Sequence, residues 1–225
     1  MFNTTIATQI YAKICFEATN SQKKIIENLS EYLSDDDFSR IFVLNGFAGT
    51  GKTTLIAAVV AALKELRIKP VLLAPTGRAA KVLARYCGEQ ALTIHKRIYR
   101  QRTNADYESK FSLDFNREQG AVFIVDEASM LSDSTGDGAL FGSGSLLEDL
   151  VSYVRSGRGC RLILVGDSAQ LPPVGCDFSP ALDPATVSRY GEVVYGLMDE
   201  VVRQQMQSGI LFNATLVRCM LENRI

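Results

Sequence analysis

One glycine-rich segment has the residue types and the spacing of a phosphate-binding loop. Gly46-Phe47-Ala48-Gly49-Thr50-Gly51-Lys52-Thr53 matches the pattern G-x-x-x-x-G-K-[ST] in full. Glycines let the backbone wrap closely around an anion, with successive N–H groups pointing into the concavity. Lys52 can then reach the β- and γ-phosphates, and the Thr53 hydroxyl can bind Mg²⁺. The segment therefore predicts a site for a nucleoside triphosphate.

The sequence on either side favours this interpretation over a glycine-rich turn that merely ends a strand. Ile41–Leu44 is apolar and predicts a short buried strand, and Thr54–Leu66 is rich in alanine and predicts a helix. A strand before the loop and a helix after it are the context that phosphate binding requires. The N-terminus of that helix also brings the positive end of its dipole to the site.

Two acidic residues follow the predicted strand 121–125. Asp126 comes at the end of that strand, where a second partner for Mg²⁺ is expected downstream of a phosphate loop. Glu127 leaves the same strand end and can orient and deprotonate an attacking water. The alternative is an acidic pair that caps a helix. Gln170, which follows the predicted strand Arg161–Val165, could sense the γ-phosphate through a hydrogen bond.

Further polar residues lie where a parallel sheet would bind ligands. Thr76 and Arg78 follow the predicted strand Lys69–Ala74, and Thr93 and His95 lie just beyond the next helix. Loops at the carboxyl ends of parallel strands are the usual ligand sites of open α/β sheets. Because a lone histidine is more often structural than catalytic, we interpret His95 as a contact residue and not as a catalyst.

Gln22 has two interpretations. Thr19 followed three residues later by Gln22 is a capping box that would begin a helix running to about Leu33. That is a sufficient local reason for both residues. The functional interpretation is that Gln22 lies near an adenine and recognises its edge.

The overall composition excludes several classes of protein. The 225 residues carry a net charge of −1, with 47% hydrophobic and 22% charged residues, as in ordinary globular domains. No run of about 18 apolar residues predicts a membrane span. The five cysteines show no C-x-x-C spacing and there is one histidine, which argues against a zinc site and predicts a reducing, cytoplasmic compartment.

Positive charge is concentrated in one stretch. Lys64–Arg102 contains ten Lys or Arg residues and only two acids. Such an excess could favour a polyanion, and the equally open alternative is a set of solvated helix faces. Residues 98–119 include the alternating run Phe111-x-Leu113-x-Phe115, which predicts part of a small β-hairpin. Its aromatic rings could stack on bases or pack onto the domain.

The order of these motifs resembles that in the N-terminal half of superfamily 1B DNA helicases, with the RecD/Dda-like branch the most similar. The resemblance covers nearly the whole chain, and its most specific part is G-D-x-x-Q-L-P-P-V. The matching segments are Gly46–Thr54, Ala74–Ala80, Thr93–His95, Val125–Met130, Gly166–Val174 and Val201–Gln204. The fold that it implies is α/β: a RecA-like P-loop NTPase with a parallel sheet, helices on both faces and a small β-hairpin insertion.

The resemblance also implies roles for individual residues. Asp126 coordinates Mg²⁺ with Thr53, Glu127 positions the hydrolytic water, Gln170 couples the γ-phosphate to movement, and Arg203 contacts the γ-phosphate. Four residues would contact single-stranded DNA: Thr76, Arg78, Thr93 and His95. The residues that would hold ATP are Gln22, Gly46, Ala48, Gly49, Thr50, Gly51, Lys52, Thr53 and Thr54.

The resemblance divides the chain as well. Residues 1–97 and 120–205 would form the first RecA-like ATPase domain, 98–119 a pin-like hairpin that splits the duplex, and 206–225 a helix that begins a second RecA-like domain missing from this chain. With one wall of the ATP cleft, we expect weak nucleotide binding, slow hydrolysis and no unwinding. The alternatives are a stand-alone PhoH-like or AAA-like ATPase, or a nucleic-acid-binding module with a relic ATP site.

Overall fold

The computed structural model describes residues 2–14, 17–103, 109–133 and 141–201. Within them the helices are α1 (Phe2–Lys13), α2 (Asn20–Ser34), α3 (Lys52–Glu65), α4 (Gly77–Cys87), α5 (Ile94–Ile98), α6 (Leu146–Ser156) and α7 (Pro184–Val187). The strands are β1 (Ile41–Gly46), β2 (Pro70–Ala74), β3 (Ala91–Thr93), β4 (Tyr99–Thr103), β5 (Ser109–Leu113), β6 (Val122–Val125), β7 (Arg161–Gly166) and β8 (Val193–Met198).

Six of these strands form one parallel sheet in the order β3-β2-β6-β7-β1-β8. All strands of such a sheet end at the same edge. The register places Ala74 of β2 beside Thr93 of β3, and Asn45 of β1 beside Gly166 of β7. The carboxyl edge therefore gathers the loops that follow each strand, as the sequence predicted for a ligand site.

Helices cover both faces of the sheet, so its central strands are apolar on both sides. Phe42 and Leu44 of β1 pack with α1, α2 and α3 in one core, and Ile41 and Val43 pack with α6 in the other. All four side chains are buried. This arrangement confirms the expected α/β sheet with helices on both faces.

The predicted hairpin is also present. β4 and β5 pair antiparallel, with Tyr99 opposite Leu113 and Gln101 opposite Phe111. The aromatic side chains separate into two groups, since Phe111 stacks on Phe141 with ring centroids 4.5 Å apart, whereas Phe115 lies beyond the strand and is 64% exposed. Of the two alternatives for these aromatic rings, Phe111 therefore packs onto the domain.

Two elements differ from the sequence expectation. β3 was not predicted, because its three residues are too few to show a periodic pattern and it lies at the edge of the sheet. The sequence also indicates an amphipathic segment at about residues 6–16, and the helix found there, α1, begins and ends earlier, at Phe2 and Lys13. The sequence further predicts a loop at 132–145, because that stretch is rich in Gly, Ser and Asp, and a last helix at about 209–222. That helix and residues 134–140 of the loop lie outside the described residues.

None of the helices in the described ranges is long and apolar enough to cross a membrane. Cys87, Cys160 and Cys176 are free thiols.

Candidate nucleotide and nucleic-acid site

The glycine-rich segment connects β1 to α3 and has the backbone shape of an anion-binding loop. Gly49 and Gly51 adopt left-handed conformations, with φ of 79° and 85°, which glycine reaches without steric cost. Gly51 is also the N-cap of α3, and no side chain caps this helix. The first-turn N–H groups are therefore available to an anion.

Lys52 folds back over the loop that it follows. Its Nζ donates hydrogen bonds to the carbonyl oxygens of Gly46 and Phe47, at 2.6 and 3.0 Å. A Cβ added at Gly46 would lie 3.1 Å from two side-chain carbons of Lys52 and 3.0 Å from Cβ of Met198. The first glycine of the motif thus makes room for the lysine side chain, and the ammonium group is held at the mouth of the loop.

Gln22 joins the start of α2 to this loop. Its Oε1 accepts from the backbone N–H of Thr19 at 3.0 Å, and Thr19 Oγ1 accepts from the N–H of Gln22, so the predicted capping box is present. Its Nε2 donates to the carbonyl oxygen of Thr50 at 3.0 Å, a contact that the sequence did not predict. Gln22 is fully buried, and its proposed contact with adenine stays a prediction.

Asp126 and Glu127 follow β6, one strand away from β7 and two from β1. Burial raises the pKa of the Asp126 carboxyl, while the N–H of Glu127 and the ammonium of Lys52 oppose that shift. Burial and the neighbouring Asp126 raise the pKa of Glu127, and Lys52 again opposes. Lys52 and the two carboxyl groups therefore interact electrostatically across the strand ends.

Glu127 has an unusual backbone. Its φ is 55°, in the left-handed region that side-chain-bearing residues seldom occupy. Such a conformation costs of order 1–3 kcal/mol and is held in place only by its surroundings. The turn carries the chain from β6 into the 3-10 helix Ala128–Met130. It directs successive carboxyl groups from one strand end.

Gln170 lies beside this acidic pair. Ser129 Oγ and Gln170 Oε1 are 3.4 Å apart, and a hydrogen bond from the Gln170 side chain lowers the pKa of Glu127. The N–H of Gln170 donates to the carbonyl oxygen of Asp167, which shapes the turn after β7. Ser129 was missed by sequence reasoning, although its position two residues after Glu127 in the same turn could have indicated it.

Asn45 is a second residue that the sequence did not single out. Its Nδ2 donates to Ser168 Oγ at 2.9 Å and to Tyr195 Oη at 3.0 Å, and its Oδ1 accepts from the N–H of Ser168. These bonds tie the end of β1 to the turn after β7 and to Tyr195 within β8. The distance between the phosphate loop and the turn that bears Gln170 therefore depends on the buried side-chain amide of Asn45, the penultimate residue of β1.

The donor set fits a divalent cation that is shared with a phosphate. No group of three or more His, Cys, Asp or Glu residues among those described could hold an ion by itself. Mg²⁺ commonly uses one or two carboxylates and completes its shell with substrate phosphates and waters. Asp126, whose buried carboxyl is destabilised in its charged form, and the Thr53 hydroxyl at the first turn of α3 are the residues that would hold it.

The four candidate DNA contacts lie at the neighbouring strand ends. Thr76 follows β2 and its Oγ1 accepts from the N–H of Ala79, at the start of α4, whereas Arg78 is exposed. Thr93 ends β3 and its Oγ1 accepts from the N–H of Lys96. Both threonine hydroxyls thus cap helices and retain their own protons for another acceptor.

His95 lies in an aromatic cluster at the base of the hairpin. Its ring centroid is 5.6 Å from that of Tyr99 and 5.1 Å from that of Phe141. Burial lowers the pKa of the imidazole, which favours its neutral form. Tyr99 Oη donates to Asp149 Oδ2 at 2.6 Å, and this buried bond anchors the cluster to α6.

A sequence profile described as "AAA domain" matches residues 17–212. The chain belongs to this family. Its relatives are RecD/Dda-like helicases of superfamily 1B, as the motif order indicated. The RecD2 DNA helicase of Deinococcus radiodurans is 31% identical over 154 residues, which cover 68% of this chain and 19% of the relative. The Dda helicase of Enterobacteria phage T4 is 34% identical over 136 residues, which cover 58% and 28%.

Solved helicase structures have the same fold. The Bacteroides Pif1 helicase in complex with ADP-AlF3 and single-stranded DNA matches 88% of this chain with a TM-score of 0.55, at 19% identity and over 45% of its own length. The Candida albicans Pif1 helicase matches 87% with a TM-score of 0.54, at 21% identity and over 43% of its length. This chain spans 19% and 28% of the two curated relatives.

In this family member the predicted site residues fall into three groups. Lys52, Asp126, Glu127 and Gln170 come together around the phosphate loop. The DNA candidates occupy the adjacent ends of β2 and β3. Arg203 lies outside the described residues. Ala48 and Thr54 are exposed on the loop and on the first turn of α3, respectively.

Proposed function

We propose that this chain is the first motor domain of an ATP-dependent DNA helicase, which couples ATP hydrolysis to 5′-to-3′ translocation on single-stranded DNA. One observation carries the proposal. The ammonium of Lys52 and the carboxyl groups of Asp126 and Glu127 interact at the strand ends beside the loop, and the next two strands along the same edge present Thr76 and Thr93. Because β2 is the direct neighbour of β6, a movement of the nucleotide-binding residues at the end of β6 would be transmitted to Thr76 at the end of β2.

The chemistry follows from these residues. On nucleotide binding, Lys52 exchanges the carbonyl oxygens of Gly46 and Phe47 for phosphate oxygens, which are stronger partners because they are charged. Glu127 accepts the proton of the attacking water, and burial and Asp126 raise its pKa in the direction that suits a general base. Gln170 then senses the γ-phosphate. Mg²⁺, held by Thr53 and Asp126, would neutralise charge on the phosphates.

We also propose that the ATP cleft is completed by a second RecA-like domain. The described residues supply one wall of the cleft, and the curated relatives are several times longer than the matched region. An arginine from the opposing wall is worth 10³–10⁵ in rate in comparable NTPases. Arg203 would contribute to the γ-phosphate from this chain. Residues 1–97 and 120–205 would form the first domain, 98–119 the pin and 206–225 the start of the second.

ATP turnover with and without single-stranded DNA tests this function. We expect slow turnover that exceeds a Lys52→Ala blank, because the described residues supply one wall of the cleft. Fast turnover that DNA does not change would favour a stand-alone ATPase. Turnover that DNA accelerates to helicase rates would mean that the chain completes its own cleft, and the two-domain proposal would be wrong.

Binding of single-stranded DNA tests the other half of the proposal. Single-stranded DNA would contact Thr76, Arg78, Thr93 and His95. We place this binding in the cytoplasm, a reducing compartment in which cysteines such as Cys87 remain free thiols. Log K plotted against log salt should fall with a slope of about −0.7 for each neutralised phosphate. A slope near zero would exclude phosphate contacts.

A further inference from the structure

The positive charges of Lys64–Arg102 separate into two classes in the structure. Four of them pair with acids: Lys64 with Glu89, Lys69 and Arg97 with Glu118 at 2.8 and 2.6 Å, and Arg100 with Asp114 at 2.7 Å. Glu118 and Asp114 come from outside the stretch, so these pairs offset a small part of the excess that the sequence showed. In the described part of the chain, Arg78, Lys81 and Arg85 have no acidic group within 4.0 Å, and all three are exposed.

These three cations form one row along α4. They are spaced i, i+3 and i+7, so they lie on the same side of the helix over about 10 Å of its length. The opposite side is buried against the sheet through Ala80 and Leu83. The row therefore faces solvent along the whole helix.

Two apolar side chains flank the row. Val82 is 46% and Tyr86 is 60% exposed, and their i, i+4 spacing places them side by side next to the cations. An exposed tyrosine ring beside a row of positive charge is the combination with which proteins bind single strands, because bases stack on the ring while cations neutralise the backbone. A duplex keeps its bases paired and would leave this ring unused.

We propose that the exposed face of α4, formed by Lys81, Val82, Arg85 and Tyr86, is a second binding surface for single-stranded DNA, continuous with the Thr76–Arg78 end of the helix. Arg78 is the first cation of the row, and Thr76 caps the same helix. The strand would run from the carboxyl edge of the sheet down the outside of α4, with a base on Tyr86. This inference rests on the proposed function, which supplies the strand at Thr76 and Arg78.

Fluorescence anisotropy with labelled oligothymidylates of increasing length tests the surface. Lys81→Gln/Arg85→Gln should bind short oligonucleotides like the wild type and long ones more weakly. At 0.1 M salt the affinity for long oligonucleotides should fall about fivefold for each cation removed. This factor is the tenfold change from 1 M to 0.1 M salt raised to the power of about 0.7, the slope of log K against log salt per phosphate contact. The salt slope should fall by about 1.4 for the double variant.

Arg158→Gln is the matched control. Arg158 is exposed in the turn after α6, on the opposite face of the sheet, and no acidic group in the described residues pairs with it. Tyr86→Leu should weaken binding of long oligonucleotides, and Tyr86→Phe should not, because a phenyl ring also stacks.

The outcomes separate the two levels of the proposal. If the wild type binds long oligonucleotides no better than short ones, or if Lys81→Gln/Arg85→Gln equals Arg158→Gln, the α4 surface is wrong and the Thr76–Arg78 contact stands. If the wild type binds no single-stranded DNA of any length, the proposed function fails together with it. Equal losses for Tyr86→Leu and Tyr86→Phe would overturn the stacking contact.

Discussion

At the ends of β1, β6 and β7 the charged side chains lie close together, whereas at the ends of β2 and β3 the two threonines and His95 each have a local partner. Burial disfavours the charged forms of Asp126 and Glu127, and Glu127 occupies a strained backbone conformation. By contrast, Thr76 and Thr93 cap helices, and burial among aromatic rings favours the neutral form of His95. The charged groups of the nucleotide region therefore cost folding stability, whereas the threonines of the nucleic-acid region are stabilised by hydrogen bonds within the protein.

This contrast predicts opposite effects of substitution. Removing a buried carboxylate from the nucleotide region should reduce ATP turnover and increase the stability of the folded state. Removing a hydrogen-bonded polar group from the nucleic-acid region or its aromatic cluster should mainly lower the stability of the folded state.

Glu127→Gln should lower ATP turnover by about 10²–10⁴-fold, the usual contribution of a general base. Nucleotide affinity should be retained, because Lys52 and the loop are unchanged. Steady-state turnover and equilibrium titration with ATP measure the two effects. Equal turnover in wild type and variant would exclude Glu127 as the base.

The same residue predicts a pH dependence. Glu127 must be ionised to accept a proton, and burial and Asp126 raise its pKa. The acidic limb of the pH–rate profile should therefore lie above the pH at which an ordinary glutamate ionises, about 4.3. A limb at that ordinary value would contradict the electrostatic coupling.

Tyr99→Phe should destabilise the folded chain by about 1–3 kcal/mol, because it deprives the buried Asp149 carboxylate of a donor. Tyr195→Phe is the matched control in the nucleotide region. The hydroxyl of Tyr195 accepts from Asn45, but this side chain is 39% exposed and water can replace it. Urea unfolding of both variants measures the difference. A larger loss for Tyr195→Phe would reverse the comparison.

Gln22→Glu should keep the contact with the N–H of Thr19 and lose the hydrogen bond to Thr50. The cost should exceed the roughly 0.5–1.5 kcal/mol of one neutral hydrogen bond, because the new carboxyl group is buried and faces the carbonyl oxygen of Thr50. Because both ends of the amide are engaged within the protein, we expect ATP and GTP to lose affinity equally. Parallel titrations with the two nucleotides measure this. A selective loss of ATP affinity would establish the adenine contact that the resemblance implies.

Asp126→Asn should raise the melting temperature slightly at pH 7 in the absence of nucleotide. A carboxyl whose pKa is raised in the folded state keeps its proton to higher pH than in the unfolded state, so stability falls as pH rises through the folded pKa. The variant removes that loss, and its advantage should vanish below the unfolded pKa of about 3.9.

Asp183→Asn is the control of opposite sign. Hydrogen bonds from Thr186 lower the pKa of Asp183, which therefore stabilises the fold above its unfolded pKa. This variant should melt at a lower temperature at pH 7. Thermal unfolding across a pH series compares the two, and shifts of the same sign would contradict the opposite pKa directions of Asp126 and Asp183.

Much of the fold was predictable from sequence because its strands are apolar runs buried on both faces. The phosphate loop and Asp126–Glu127 were found for a related reason, since each comes immediately after a buried apolar strand. β3 escaped because three residues carry no period, although it completes the edge that bears Thr93.

The contacts between distant segments could not be predicted. Gln22 reaches Thr50 across 28 residues, and Asn45 reaches Tyr195 across 150. The sequence shows neither partner, since local pattern gives each of these residues a sufficient role of its own. Likewise, the basic stretch looks uniform in sequence, and only the fold brings Glu118 and Asp114 to some of its members.

Calorimetric titration of Mg-ATP into the wild-type and Lys52→Ala chains tests the central claim most directly. Lys64→Ala is the control, since Lys64 lies on the same helix but is exposed and pairs with Glu89. We expect one binding site in the wild type and in Lys64→Ala, and loss of most of the affinity in Lys52→Ala. Equal affinity in all three chains would mean that the loop between β1 and α3 does not hold the phosphates.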